Sequence, residues 1–216
     1  MGTSRRKTSD KVKKLLEKQK EQDIKKALPK VTSVVLTPKL LGHIFNEKEF
    51  KTIVSVGIAG LSALKSGSFS ADYNFGEDLV SCDLLKENPL TLNQVIDKIL
   101  EAAEELDPNL SELLVTAFKL TMAKMIKEEQ DVHSFALELC IFLIYLLLQQ
   151  ELIEAFSDVF QEFGHKEINQ LIKDLARKIA NSIQTDINDF VQGKMELEAL
   201  LQLISDKASD TTLGEF

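Results

Sequence analysis

The chain has 216 residues, of which 44% are hydrophobic and 28% charged, with a formal net charge of −8. That length carries one domain, or one domain with an appendage, and is enough to bury a real core. The two cysteines, Cys82 and Cys140, stand far apart, which fits reduced thiols acting as small hydrophobes better than a disulfide framework.

Four prolines and nine glycines leave little punctuation, and apolar residues recur at helical rather than alternating spacing, so the fold class is all-α. Charge is unevenly placed. Residues 1–30 hold eleven Lys or Arg against four acids, a balance of +7, while residues 31–216 carry −15. Such polarity predicts an arm that meets polyanions or an acidic protein surface.

Met1 to Ser9 is polar, without period, and expected to be disordered; no apolar stretch follows within the first thirty residues as a secretory signal would need. Arg6 stands where N-myristoylation wants Ser or Thr. Thr8 or Ser9 then caps a helix to about Leu28, with Val12, Leu15, Leu16, Ile24 and Leu28 as a thin apolar stripe, too narrow to hold it firmly to a core, and Pro29 is expected to end it. The candidate polyanion-binding residues are Arg5, Arg6, Lys7, Lys11, Lys13, Lys14, Lys18, Lys20, Lys25 and Lys26. No aromatic residue interleaves with them, so they offer phosphate contact without base stacking.

Val31 to Leu36 is β-branched and reads as a short extended segment. Thr37 followed by Pro38 reads as a helix start. Asn46, with Glu49 three residues on, reads as an N-cap with a returning carboxylate for a helix to about Leu64, inside which Gly57 and Gly60 predict close approach of a partner helix. From Lys65 to Pro89 the helical period is lost; Phe69, Tyr73 and Phe75 in this stretch are candidate interface residues.

Thr91 and Gln94 form a second capping box for a helix to Leu106, and Asp107 with Pro108 reads as the start of the next. Asp131 caps the helix the chain is built around. Its centre, Leu139 to Leu148, is apolar on every side, so it belongs in the middle of a bundle. The uncharged window, Leu139 to Gln150, is shorter than the roughly 20 residues of a membrane span. Beyond it the pattern narrows to one face, with a bend expected near Gln149 and a stop at Gly164.

Ile168 to Phe190 makes one regular stripe closed by Gly193. A last helix, about Met195 to Ile204, concentrates Leu197, Leu200, Leu201, Leu203 and Ile204, which either dock on this body or insert into a neighbouring copy. The tail from Ser205 is polar and expected to be loose. The domain division is thus a basic arm (1–30), a single helical bundle around a buried central apolar helix (31–204) and a flexible tail (205–216).

Signatures of catalysis are missing: no HExxH, paired cysteine spacing, GxGxxG, Walker loop or GxSxG. His43 with Glu47, and Glu162 with His165, are isolated acid–histidine spacings, and a di-iron site needs two ExxH pairs and two further glutamates. Glu138, embedded among apolar residues, is expected to be surface-facing or paired. No catalytic, cofactor-binding or metal residue is assigned. The expectation is a non-enzymatic interaction or assembly protein of a reducing intracellular compartment, cytoplasmic or nuclear, with a protein partner or its own copy as ligand. A nucleic-acid-packaging protein, nucleocapsid-like and using the arm on phosphates, is the alternative; membrane insertion, or contact of the arm with a membrane surface, ranks behind both.

Overall fold

The computed structural model describes residues 10–17, 23–67 and 82–211. The described residues form helices and connecting turns, with no strand, and an apolar helix runs through the core. They fall into two compact units, one comprising the residues to His43 together with Cys140 onward, the other Ile44–Leu139. This division differs from one at residues 30 and 204, which lie inside helices.

In the first unit, helix α1 (residues 10–17) is docked rather than free: Val12 is fully buried and Leu16 nearly so. Helix α2 spans Ile24–Val35, capped by Asp23, whose side chain accepts from the Lys25 N–H at 2.9 Å. Pro29 therefore sits inside a helix rather than ending one, and Val31–Val35 is helical rather than extended. The reason is packing. Ile24, Ala27, Leu28, Val31 and Val35 share one buried face, and that burial outweighs both the hydrogen bond that proline cannot give and the weak helix propensity of valine. Thr37 starts a four-residue helix, α3 (Pro38–Leu41), as its Pro-at-N1 pattern predicts.

The second unit starts before α4 (Glu47–Lys65), whose N-cap Asn46 accepts from the Glu49 N–H. The Glu49 carboxylate does not return to that cap; it accepts instead from the Ser111 N–H at 3.2 Å. A β-carbon at Gly57 would lie 2.2 Å from Phe135 Cζ, and one at Gly60 2.7 Å from Ile99 Cγ2. Both glycines thus serve close packing. Helix α5 (Cys82–Glu87) lies where no helix was expected, and α6 (Pro89–Leu106) starts two residues before Thr91, with Asn88 accepting from Leu90 and Thr91. Asp107 ends α6 rather than starting α7 (Glu112–Lys127), which Ser111 caps. Helix α4 packs on α6 and α7, which pack on each other and on α5.

Asp131 caps a 3-10 turn, Val132–Ser134, that leads into α8 (Phe135–Val159); the division between the units falls inside this helix, after Leu139. Leu139 to Ile144 and Leu146 to Leu148 are all buried. The helix stops at Val159, five residues before Gly164, and Gly164 begins α9 (His165–Ser182), its N–H donating to Glu167 Oε2 at 2.9 Å. With φ −70° it has no need of the left-handed conformation that ends helices at glycine. The stripe expected to run unbroken to Phe190 breaks at Ile183, giving α10 (Gln184–Val191), and Gly193, φ 72°, closes it. Helix α11 runs Leu197–Asp210, so residues 205–210 are helical rather than a loose tail; it packs on α2, α3, α9 and α10.

Candidate interaction surfaces

Of the ten basic candidates, Lys11, Lys13, Lys14, Lys25 and Lys26 are described; Arg5, Arg6, Lys7, Lys18 and Lys20 lie outside the described residues, as do Phe69, Tyr73 and Phe75. Val12 and Leu16 turn inward on α1. Lys11 and Lys14, three residues apart, are exposed on its outer face. Lys13 is committed to its own unit through Asp158, Nζ to Oδ2 at 2.9 Å, and this bond holds its pKa above the ordinary lysine value. Lys26 lies 3.7 Å from Asp23, and Lys25 is half-buried and engaged in further contacts. The structure thus brings Lys11 and Lys14 together and assigns Lys13 and Lys26 at least partly to the fold.

The leucine-rich C-terminal helix is turned into its own unit. Leu200, Leu201 and Ile204 are buried, and Leu197 and Leu203 partly so.

Among the described residues, three large apolar side chains that spacing alone does not single out are exposed: Leu90 at 69%, Leu106 at 64% and Leu120 at 37%. Leu106 is the most informative. The buried face of α6 is Leu92, Val95, Ile96, Ile99, Leu100 and Ala103, and Leu106, three residues beyond Ala103, has no helix turn left to hold it there. Glu104 and Glu105 precede it, exposed, and the last turn of α6 contains no basic residue.

The second unit also holds an internal ion pair. Lys124 Nζ lies 2.6 Å from Glu138 Oε2, the two side chains 12% and 11% exposed, with Glu128 3.9 Å from the same ammonium. Glu138 is therefore the paired carboxylate of the two expected alternatives. Lys86 bonds both Asp83 and Glu129. Asp107, nearly buried, meets Lys48 at 3.1 Å and accepts from the Asn109 N–H; the lysine holds its carboxyl below the usual range. In the first unit Cys140 is free and fully buried, which pushes its thiol up to about 12.

Among the described residues no three His, Cys, Asp or Glu side chains gather as a metal site. His43 and Glu47 do not share a helix, since His43 lies in the turn after α3 and Glu47 opens α4. His165 Nδ1 faces Ser157 Oγ at 3.3 Å.

Charge is uneven along the chain, with residues 140–216, in the same unit as residues 1–43, holding six basic residues against thirteen acids, −7. Ile44–Leu139 holds eight lysines against seventeen acids, a balance of −9, whereas residues 1–43 hold twelve basic residues against four acids, +8. Among the described residues one helical stretch, Val132–Val159, is long and apolar enough to cross a membrane, and 61% of its apolar window is buried within the fold. Comparison with protein-family models, curated proteins and solved structures finds no match for this chain.

Proposed function

We propose that the chain is a non-enzymatic helical interaction or assembly protein that makes its contacts by charge complementarity. The observation that carries this reading is the separation of charge: +8 in residues 1–43 and −9 in residues 44–139. Opposite potentials on one molecule steer encounters and select partners more than they add raw affinity. The side chains of most interest for chemistry are occupied otherwise, Glu138 in its pair with Lys124 and the Cys140 thiol sealed in the core. With Leu200, Leu201 and Ile204 buried in their own unit, the basic N-terminal residues rather than the C-terminal leucines supply the contact. A free thiol fits a reducing intracellular compartment.

Light scattering behind a sizing column tests this across protein concentration at low salt. A mass that rises with concentration supports assembly. A monomer at every concentration that also captures no protein overturns the reading.

The outward pair Lys11 and Lys14 favours a second reading, phosphate neutralisation along a nucleic acid. Fluorescence anisotropy with a short labelled RNA and DNA decides it: sequence-independent binding that weakens steeply with salt supports packaging, and no binding at low salt removes it. Membrane insertion through Val132–Val159 requires unpacking a helix whose apolar window is mostly buried, and leakage of vesicles would be its sign.

A further inference from the structure

We propose that acid turns α8 from the core helix of this fold into a membrane-inserted one, with Glu138 and Glu151 as the carboxylates that decide it. Every charged side chain of α8 is an acid: Glu138, Glu151, Glu154 and Asp158. Near neutrality Glu138 and Glu151 bound the uncharged run at residues 139–150, 12 residues, too few to span a bilayer. With both protonated, the uncharged run covers residues 134–153, 20 residues. As a helix that run is about 30 Å long and matches the hydrocarbon thickness. Two protons thus change which solvent the helix suits.

Protons also supply the unpacking that insertion requires. Glu138 holds Lys124 Nζ of α7 at 2.6 Å, with Glu128 3.9 Å from the same ammonium. Neutralising both acids leaves Lys124, its side chain 12% exposed, as a largely buried cation without a counterion, which is strongly destabilising. Glu151 is nearly buried and engaged within the fold. In the last turn of α8, Asp158 binds Lys13 of α1 at 2.9 Å, a tie that protonation of the aspartate removes. From α9, Lys173 Nζ stands 5.4 Å from the Phe142 ring centroid and Asn169 accepts from Gln149; neither contact uses a carboxylate. Acid therefore removes ion pairs that hold α8 to α7 and α1 and, in the same step, the charges that keep it out of lipid. With its carboxylates protonated the chain is strongly cationic, so an anionic bilayer surface draws it in before insertion.

The test mixes the full chain with vesicles of phosphatidylcholine and phosphatidylglycerol from about pH 7 down to about pH 4, across the range where carboxylates titrate. Flotation reads binding, dye release reads insertion, and survival of residues 134–153 under pepsin reads shielding by the bilayer. Wild type is expected to leave vesicles intact near neutrality and to release dye and shield that segment as acid is added. Glu138→Gln/Glu151→Gln is expected to do so at a pH at least about one unit higher. Tyr145, partly exposed near the middle of the run, takes a charge that acid cannot remove: Tyr145→Arg is expected to bind vesicles in acid but to release dye at least about tenfold more slowly. Circular dichroism at neutral pH checks that the variants fold, and if the glutamine pair does not, the arginine variant decides alone. Wild type that leaves vesicles intact throughout, or breaches them equally at neutral pH, overturns the inference. Tyr145→Arg acting as wild type does also overturns it, because an acid-unfolded chain is then disrupting lipid without placing α8 in it. A folded glutamine pair that acts at the wild-type pH removes Glu138 and Glu151 as the switch and overturns it as well. Self-association enters none of these readouts, so the assembly reading stands or falls separately.

Discussion

Gly57 has no room for a side chain. A β-carbon there would meet the Phe135 ring at 2.2 to 2.7 Å, and Phe135 is itself fully buried and set edge-on against Phe118, centroids 6.0 Å apart. Alanine would gain about 1 kcal/mol of helix propensity, but overpacking costs about 1–3 kcal/mol, and this ring has nowhere to retreat. Gly57→Ala is therefore expected to lower the urea midpoint, and Phe135→Leu in that background to recover part of the loss. Lys124 and Glu138 are expected to show the opposite logic. Removing the cation alone, Lys124→Met, leaves a largely buried carboxylate without its cation and costs about 3 kcal/mol, whereas Lys124→Met/Glu138→Leu removes both charges and costs much less. If the double variant proves as unstable as the sum of the singles, the pair is not the reason either residue matters. Asp107 carries a pH dependence. Lys48 holds its carboxyl below the usual value, so its contribution is complete above the unfolded pKa of about 4 and is lost as pH falls through the lower folded value. The stability difference between wild type and Asp107→Asn is expected to stay constant near neutrality and close below about pH 4; a difference that persists at the lowest pH where the chain stays folded contradicts this.

Helix α11 shows what the element scale adds. Its leucine pattern announces burial but not where, and polar residues from Ser205 onward read as tail, yet Ala208 is fully buried and the helix continues to Asp210. Ile204→Ala is expected to cost about 2–5 kcal/mol, and truncation after Ile204 to destabilise the chain measurably in thermal unfolding, an effect a loose tail would not produce. The helices themselves were largely legible. Asn46, Thr37 and Gly193 mark ends by local chemistry, and Leu139 to Leu148 can only be buried. What misled was punctuation whose meaning depends on packing. Pro29 is a breaker by its own chemistry, yet a buried face on α2 carries the helix through it. Gly164 looks like a stop, but α8 had already ended at Val159 and the glycine opens α9 through Glu167. At the candidate surface, the basic residues were visible as composition; that Lys13 is tied to Asp158 while Lys11 and Lys14 face outward depends on how α1 docks, and the exposure of Leu106 depends on α6 ending there. Neither is written in spacing alone.

At the scale of the whole molecule, charge is unevenly placed along the chain: residues 1–43 carry +8, Ile44–Leu139 −9 and residues 140–216 −7. A net charge of −8 alone would keep copies apart; in the proposed reading, its uneven placement is what draws them together. Attraction between exposed charges is screened beyond about 8–10 Å at ordinary ionic strength, so an assembly built on it must loosen as salt rises, whereas one built on buried leucines would hold or tighten. Sedimentation equilibrium of the full chain across a salt series at fixed protein concentration separates these directly. The expected result is a mass above that of one 24.2 kDa chain at low salt, falling toward the monomer as salt is raised; a mass that stays at one chain throughout, or an oligomer indifferent to salt, would contradict assembly by charge complementarity.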